Sequence, residues 1–180
     1  MTVQLRSGAE TAQPYAAATP HGGSDTEIAE QVRGHHAAMV AELDRLTATL
    51  RDAAPDGQAT ARQKLDEWFE AVLVPHADEE EATTYRAAGE LAEGRLLIEA
   101  MVREHLFIKR LVTLFGETEG DAAAAYGRAV FEAFTSHQGK ENDVILPLLV
   151  DAPQVSLVEV VGSAHGHQVG EQANAHAHHH

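Results

Sequence analysis

Residues 75–80 read PHADEE and residues 136–141 read SHQGKE. Each holds a His-x-x-x-Glu pair, His76 with Glu80 and His137 with Glu141. On an α-helix, residues four apart lie one above the other on the same face. An imidazole nitrogen and a carboxylate oxygen so placed can grip one metal ion, or two ions bridged by the carboxylate. One such pair is weak evidence, because His and Glu meet at this spacing on many solvated helix faces. Two pairs, each in line with the apolar seam of its helix, are much stronger. Two further seam histidines, His36 and His105, complete the set.

The seams follow from the order of residues. Ser24-x-x-Glu27 is a capping box, and Asp25 favours the positive start of a helix. From there Val32, His36, Met39, Leu43, Leu46 and Leu50 alternate in steps of four and three, the pattern of a bundle helix. His35 falls outside that register, at the edge of the seam. The helix is expected to end near Ala53, before the turn signal Ala-Pro-Asp-Gly. A second helix, from about Thr60 to Ala88-Gly89, has the seam Leu65, Phe69, Val72, His76, Glu80, Thr83. Pro75 inside it should cost a backbone hydrogen bond and bend it. A third, from about Glu90 to Phe115 with Gly116 as stop, has the seam Ile98, Met101, His105, Ile108, Val112, Phe115, widened by Phe107 and Leu111. A fourth, capped by Asp121, has the seam Val130, Phe134, His137, Glu141, Val144, Leu148, and Pro147 near its end fits a helix that is finishing.

Four such helices joined by short connections imply an all-α fold, an antiparallel up-down four-helix bundle over residues 24–150. A short fifth helix over SLVEVVG, within residues 151–163, is expected to cover one end. Residues 1–23 read as a flexible arm, and residues 164–180 as a His-rich disordered tail. That tail holds six of the twelve histidines.

Composition narrows the chemistry. The 180 residues suffice for one domain with a substantial core. A formal charge of -15 makes nucleic acid and anionic membranes poor partners. There is no cysteine, so disulfides and thiolate metal sites are excluded, and imidazole and carboxylate remain as ligands. The first residues lack an apolar signal core and no 18-residue apolar run occurs, so a cytoplasmic protein is expected. No serine lies in any helix seam, which removes a Ser-His-Asp set. A bundle core offers no groove for glycoside chemistry.

The seams place four histidines and two glutamates inside the bundle. An unpaired buried carboxylate costs several kcal/mol or more, and no lysine or arginine shares the seams. A single seam histidine is most often bonded to a backbone carbonyl, and a single His-Glu pair most often sits on the surface. Six such residues at one level need a common cause. Two divalent ions would match the charge. Iron, manganese or zinc suits this donor set, and iron would give redox use to the positions left open.

Segments GHHAAMV, LVPHADEEEATTY, MVREHLFIKRLV and FTSHQGKENDVILPLL carry His, His-x-x-x-Glu, His, His-x-x-x-Glu in order on four successive helices. In this the chain resembles the hemerythrin-like, or HHE cation-binding, domain. The resemblance implies two non-haem iron ions, oxo- or hydroxo-bridged, with His36, His76, His105 and His137 as terminal ligands and Glu80 and Glu141 as bridges. By analogy His36 and His76 would serve one iron, His105 and His137 the other. The oxygen carriers of that family have His-x-x-x-His on the third helix. Here Met101 and Lys109 stand four residues either side of His105, and Glu141 replaces the usual aspartate, which argues against reversible oxygen carriage. Tyr85, nine residues after His76, could supply a phenolate ligand if the helix distorts near Pro75; on an ideal helix it points away, so it is not expected to ligate.

The resemblance points to a protein that binds or reduces a small oxidant, with catalase-like peroxide dismutation foremost. The alternatives are a non-enzymatic module that senses or binds oxygen or nitric oxide or holds iron, and a zinc-stabilised structural bundle. The expected partner is a small diatomic ligand or peroxide, and the expected state a monomer or weak homo-oligomer.

Overall fold

In the computed structural model, which describes residues 24–162, each long helix passes through two separate apolar clusters with a polar layer between them. Helix α1 (Asp25–Asp52) opens with the expected capping box: the Ser24 N–H donates to Glu27 Oε2 at 2.7 Å and the Glu27 N–H to Ser24 Oγ at 3.4 Å. It starts in one cluster at Ile28 and Ala29, passes His36, and ends in the other at Met39, Leu43, Leu46 and Leu50. The second bundle helix runs the opposite way. It consists of α2 (Gln58–Trp68), a π-helical turn (Phe69–Leu73), α3 (Val74–Ala82) and α4 (Thr84–Gly89). Helix α5 (Arg95–Gly116) goes from Met101 past His105 to Ile108 and Phe115. The fourth bundle helix returns as α6 (Gly120–Lys140), a second π-helical turn (Glu141–Ile145) and α7 (Leu146–Asp151). The direction alternates at each step, as an antiparallel up-down bundle requires. No strand occurs among the described residues, and none of their helices is long and apolar enough to cross a membrane.

A last short helix, α8 (residues 157–162), closes one end. Leu157 is fully buried in the cluster that holds Ile28, Tyr85 and Leu149, and the Val158 N–H donates to Asp25 Oδ1 at 3.0 Å. The expected arm (1–23) and the His-rich tail (164–180) lie outside the described residues.

Several boundaries differ from those read in the sequence. The third helix starts at Arg95, because residues 90–94 form a turn that tucks Leu91 into the core. Gly94 makes that turn possible: a Cβ there would stand 2.1 Å from the Ala88 carbonyl oxygen. The fourth helix is preceded by Glu119 rather than capped by Asp121, and Gly120 supplies a left-handed residue, φ +57°, that only glycine adopts readily.

The two π-helical turns have the larger effect. Val74 N–H bonds to Phe69 O and Leu146 N–H to Glu141 O, each a five-residue step instead of four. In both cases proline follows two residues after the turn, Pro75 after Leu73 and Pro147 after Ile145. A proline ring clashes with the carbonyl four residues back in a regular helix, and a wider turn before it relieves that clash. Pro147 therefore stands near the end of its helix without breaking it, and the helix runs to Asp151. Each wide turn also advances the seam by one residue. Leu73 replaces Val72 in the core, and Ile145 and Leu149 replace Val144 and Leu148; Val144 is 46 % exposed. Phe107, placed on the apolar face of the third helix by the sequence, is 56 % exposed, whereas Leu111 is buried.

Candidate metal centre

The polar layer brings all six sequence-selected residues together. His36, Glu80, His105, His137 and Glu141 are buried and His76 nearly so. They sort into two groups whose donor atoms lie within 4.8 Å of one another: His36, His76 and Glu80; and Glu80, His105, His137 and Glu141. Glu80 belongs to both. Its Oε1 lies 3.1 Å from His76 Nε2 and 3.3 Å from His36 Nε2, and its Oε2 lies 3.5 Å from His105 Nε2. Glu141 Oε1 is 3.2 Å from His137 Nε2, and Oε2 is 4.0 Å from His36 Nε2.

The outer ring nitrogens are held from outside. His36 Nδ1–H donates to Asn142 Oδ1 at 2.8 Å, His105 Nδ1–H to Glu81 Oε1 at 2.9 Å and His137 Nδ1–H to Glu104 Oε2 at 3.0 Å. These bonds turn each Nε2 inward and leave it bare, the arrangement of a histidine prepared to ligate a metal. The carboxylates are in turn anchored. Lys140 Nζ donates to Glu104 at 2.6 and 2.8 Å, and Lys109 to Asp78 at 2.7 Å and Glu81 at 3.3 Å. Arg33 donates to the Asn142 carbonyl within the second wide turn.

This donor set fits a cation and is poorly satisfied by protein alone. His36 Nε2, Glu80 Oε2 and Glu141 Oε2 are buried without a hydrogen-bond partner, although such groups are paired in the great majority of cases. His105 Nε2 and His137 Nε2 face each other at 2.8 Å. Both rings already donate through Nδ1, so two lone pairs meet there unless a positive charge lies between them. Electrostatics agree. Burial alone would raise the Glu80 carboxyl, but three imidazoles, His76 foremost, hold it well below the usual carboxylate range. Burial opposes charge on His76 and His137, yet Glu80 and Glu141 draw both above the ordinary imidazole value.

Tyr85 is the residue that sequence reasoning misplaced. It is 2 % exposed, stacks on the His105 ring at 5.1 Å with 7° between planes, and has its hydroxyl 2.9 Å from His137 Nε2 while donating to Glu141 Oε1. The cause is a break at Thr83, φ -123° and ψ -89°, rather than a bend at Pro75. The break separates α3 from α4, and past it Tyr85 turns inward; the Thr83 and Thr84 hydroxyls bond to the Glu79 and Glu80 carbonyls beside it. The Thr-Thr pair after Glu-Glu-Glu-Ala was the available signal. Burial first, then Glu141 and Glu80, push the phenol far above its ordinary value, so only a cation would draw off its proton.

The remaining candidates stand apart. Met101 is buried in the apolar cluster with Tyr85, and Lys109 is engaged by Asp78 and Glu81. His35 is half-buried, its ring 5.4 Å from that of His76, and belongs to neither group. Burial, followed by His76 and His36, lowers its pKa to about 4 against the opposing pull of Glu80.

An all-α bundle with a buried His and Glu layer open to cations is a metal-binding domain. The match to the family model "Hemerythrin HHE cation binding domain" covers residues 27–149, and the chain belongs to that family. No curated protein and no solved structure matches the chain.

Proposed function

We propose that the polar layer holds two non-haem iron ions that share Glu80 and Glu141, and that the centre binds and reduces a small oxidant, hydrogen peroxide foremost. The observation that supports this is Glu80 itself: one carboxylate, its two oxygens turned towards histidines of two different groups. On this reading His36 and His76 serve one ion, His105 and His137 the other, and the Tyr85 oxygen stands with the second. Iron bound there would supply redox chemistry and open positions for peroxide, dioxygen or nitric oxide.

The chain supplies the rest. Asn142, Glu81 and Glu104 fix the orientation of three imidazoles and keep their protons on the outer nitrogens. Tyr85 holds a proton at its hydroxyl, shared with Glu141 and close to His137. Apolar clusters on both sides keep bulk water from the layer, and a dry surrounding strengthens every charge interaction within it. Met101 and Lys109 stand where a fifth histidine would fall on the third helix, and Tyr85 stacks on the His105 ring, so on this reading the centre differs from that of the oxygen carriers.

The test is peroxide consumption by the iron-loaded full chain, with oxygen evolution recorded alongside absorption in the near ultraviolet. Rapid oxygen evolution supports dismutation. A protein that binds oxygen or nitric oxide but leaves peroxide untouched is instead a non-enzymatic binding or sensing module. A colourless protein that takes only zinc contradicts both.

A further inference from the structure

The two halves of the layer differ. His105 and His137 donate to carboxylates, and their side chains are 2 % and 0 % exposed. His36 donates to a neutral amide, and the His76 side chain is 13 % exposed. On the side of His36 a groove of about 410 Å³ runs between α1 and α6. Ala37, Val40 and Phe131 line it beside the polar Asp44 and Thr135, and the buried His36 and Gln138 line it too. Gln138 Oε1 is buried without a hydrogen-bond partner, and its Nε2 is 3.4 Å from His76 Nε2. Such a carbonyl costs free energy unless a donor reaches it.

We infer that the α1–α6 groove is the path by which hydrogen peroxide reaches the centre, and that Gln138 selects it by accepting a hydrogen bond from its O–H beside His76. This rests on the reading of a metal centre at His36 and His76. The apolar part of the lining admits a small uncharged molecule, and the Asp44 carboxylate beside it repels an anion. Dioxygen and nitric oxide are uncharged too, but carry no hydrogen, so Gln138 gains nothing from them. The groove therefore governs access for all three, and Gln138 discriminates among them.

Gly139 also lines the groove, and nothing lies within 4 Å of where its Cβ would stand. Gly139→Leu should plug the path without disturbing the bundle, and Ala37→Leu should narrow it from the α1 side. The test uses the iron-loaded full chain with iron content measured for every variant. Plugging is expected to slow both peroxide consumption and nitric oxide association with the reduced protein by about tenfold or more. Gly116→Leu, equally open but away from the groove, changes neither. Gln138→Leu is expected to cut kcat/KM for peroxide about tenfold or more while leaving nitric oxide association within about twofold. Wild-type nitric oxide rates in both plugged variants overturn the path. Equal losses for peroxide and nitric oxide in Gln138→Leu at full iron content overturn the selection. Two irons per chain with no peroxide consumption overturns this inference and leaves the centre standing; fewer than two overturns the centre itself.

Discussion

Tyr85 shows how a single backbone dihedral decides what a site contains. Its place in the layer is a matter of rotation, and the backbone break at Thr83 accompanies that rotation. The six His and Glu positions were legible in the sequence because each falls in a regular three-and-four seam, and regular seams predict facing. Tyr85 was not, because it follows a break that periodicity does not register. Tyr85→Phe removes the donor to Glu141 while keeping the stacked ring on His105. The expected outcome is two irons still bound, loss of any phenolate-to-iron absorption in the visible, and a stability cost of about 1.5–3 kcal/mol for a buried hydrogen bond to a charged group. Metal analysis, a visible spectrum and a denaturant melt check the three parts. Met101→His places an imidazole next to Tyr85 in an apolar cluster rather than in a vacant position. It should therefore destabilise the bundle more than it alters peroxide chemistry, which a melt beside a peroxide assay would separate.

The elements carry the second lesson. The number of helices, their order, the first capping box and the short covering helix could all be read from caps and seams. The apolar positions at the wide turns could not: Leu73 stands where Val72 was expected, and Ile145 and Leu149 where Val144 and Leu148 were, while His76 and Glu80 keep their places in the layer. The repeated signal was proline two residues after the turn, at Pro75 and Pro147. The shift is testable side by side. Val144→Ser should change stability by less than about 0.5 kcal/mol, whereas Ile145→Ala should cost about 2–5 kcal/mol. Urea melts of the two variants decide it; the reverse ranking would restore an unbroken α-helical register. The turn before the third helix makes a similar demand. Gly94→Ala drives a methyl group into the Ala88 carbonyl and should cost about 1–3 kcal/mol even though Gly94 lies on no seam.

At the scale of the whole molecule the bundle holds a charged layer between two apolar cores, and that layer is expected to couple folding to metal and to pH. In protein stripped of metal, Glu80 is held below its ordinary value of 4.5, so its contribution to stability is present above that pH and is lost as pH falls through the folded value. His76 and His137 are drawn above 6.5, so theirs is present below that pH and lost as pH rises through the folded value. Chelated protein should therefore gain from all three groups between about pH 4.5 and 6.5, against His35, whose lowered pKa of about 4 takes stability away as pH falls below 6.5. Metal-bound protein should favour higher pH, where protons no longer compete for the imidazoles. Thermal melts across pH, with and without chelator, check the crossing of the two trends. The most direct measurement is the metal content of the iron-loaded chain, compared with Glu80→Ala and with a chain lacking residues 164–180. The expected result is two irons per chain in the full-length protein and in the shortened one, and loss of metal in Glu80→Ala. One ion per full-length chain, or two ions that vanish with the tail and survive Glu80→Ala, would contradict a centre built on the shared carboxylate.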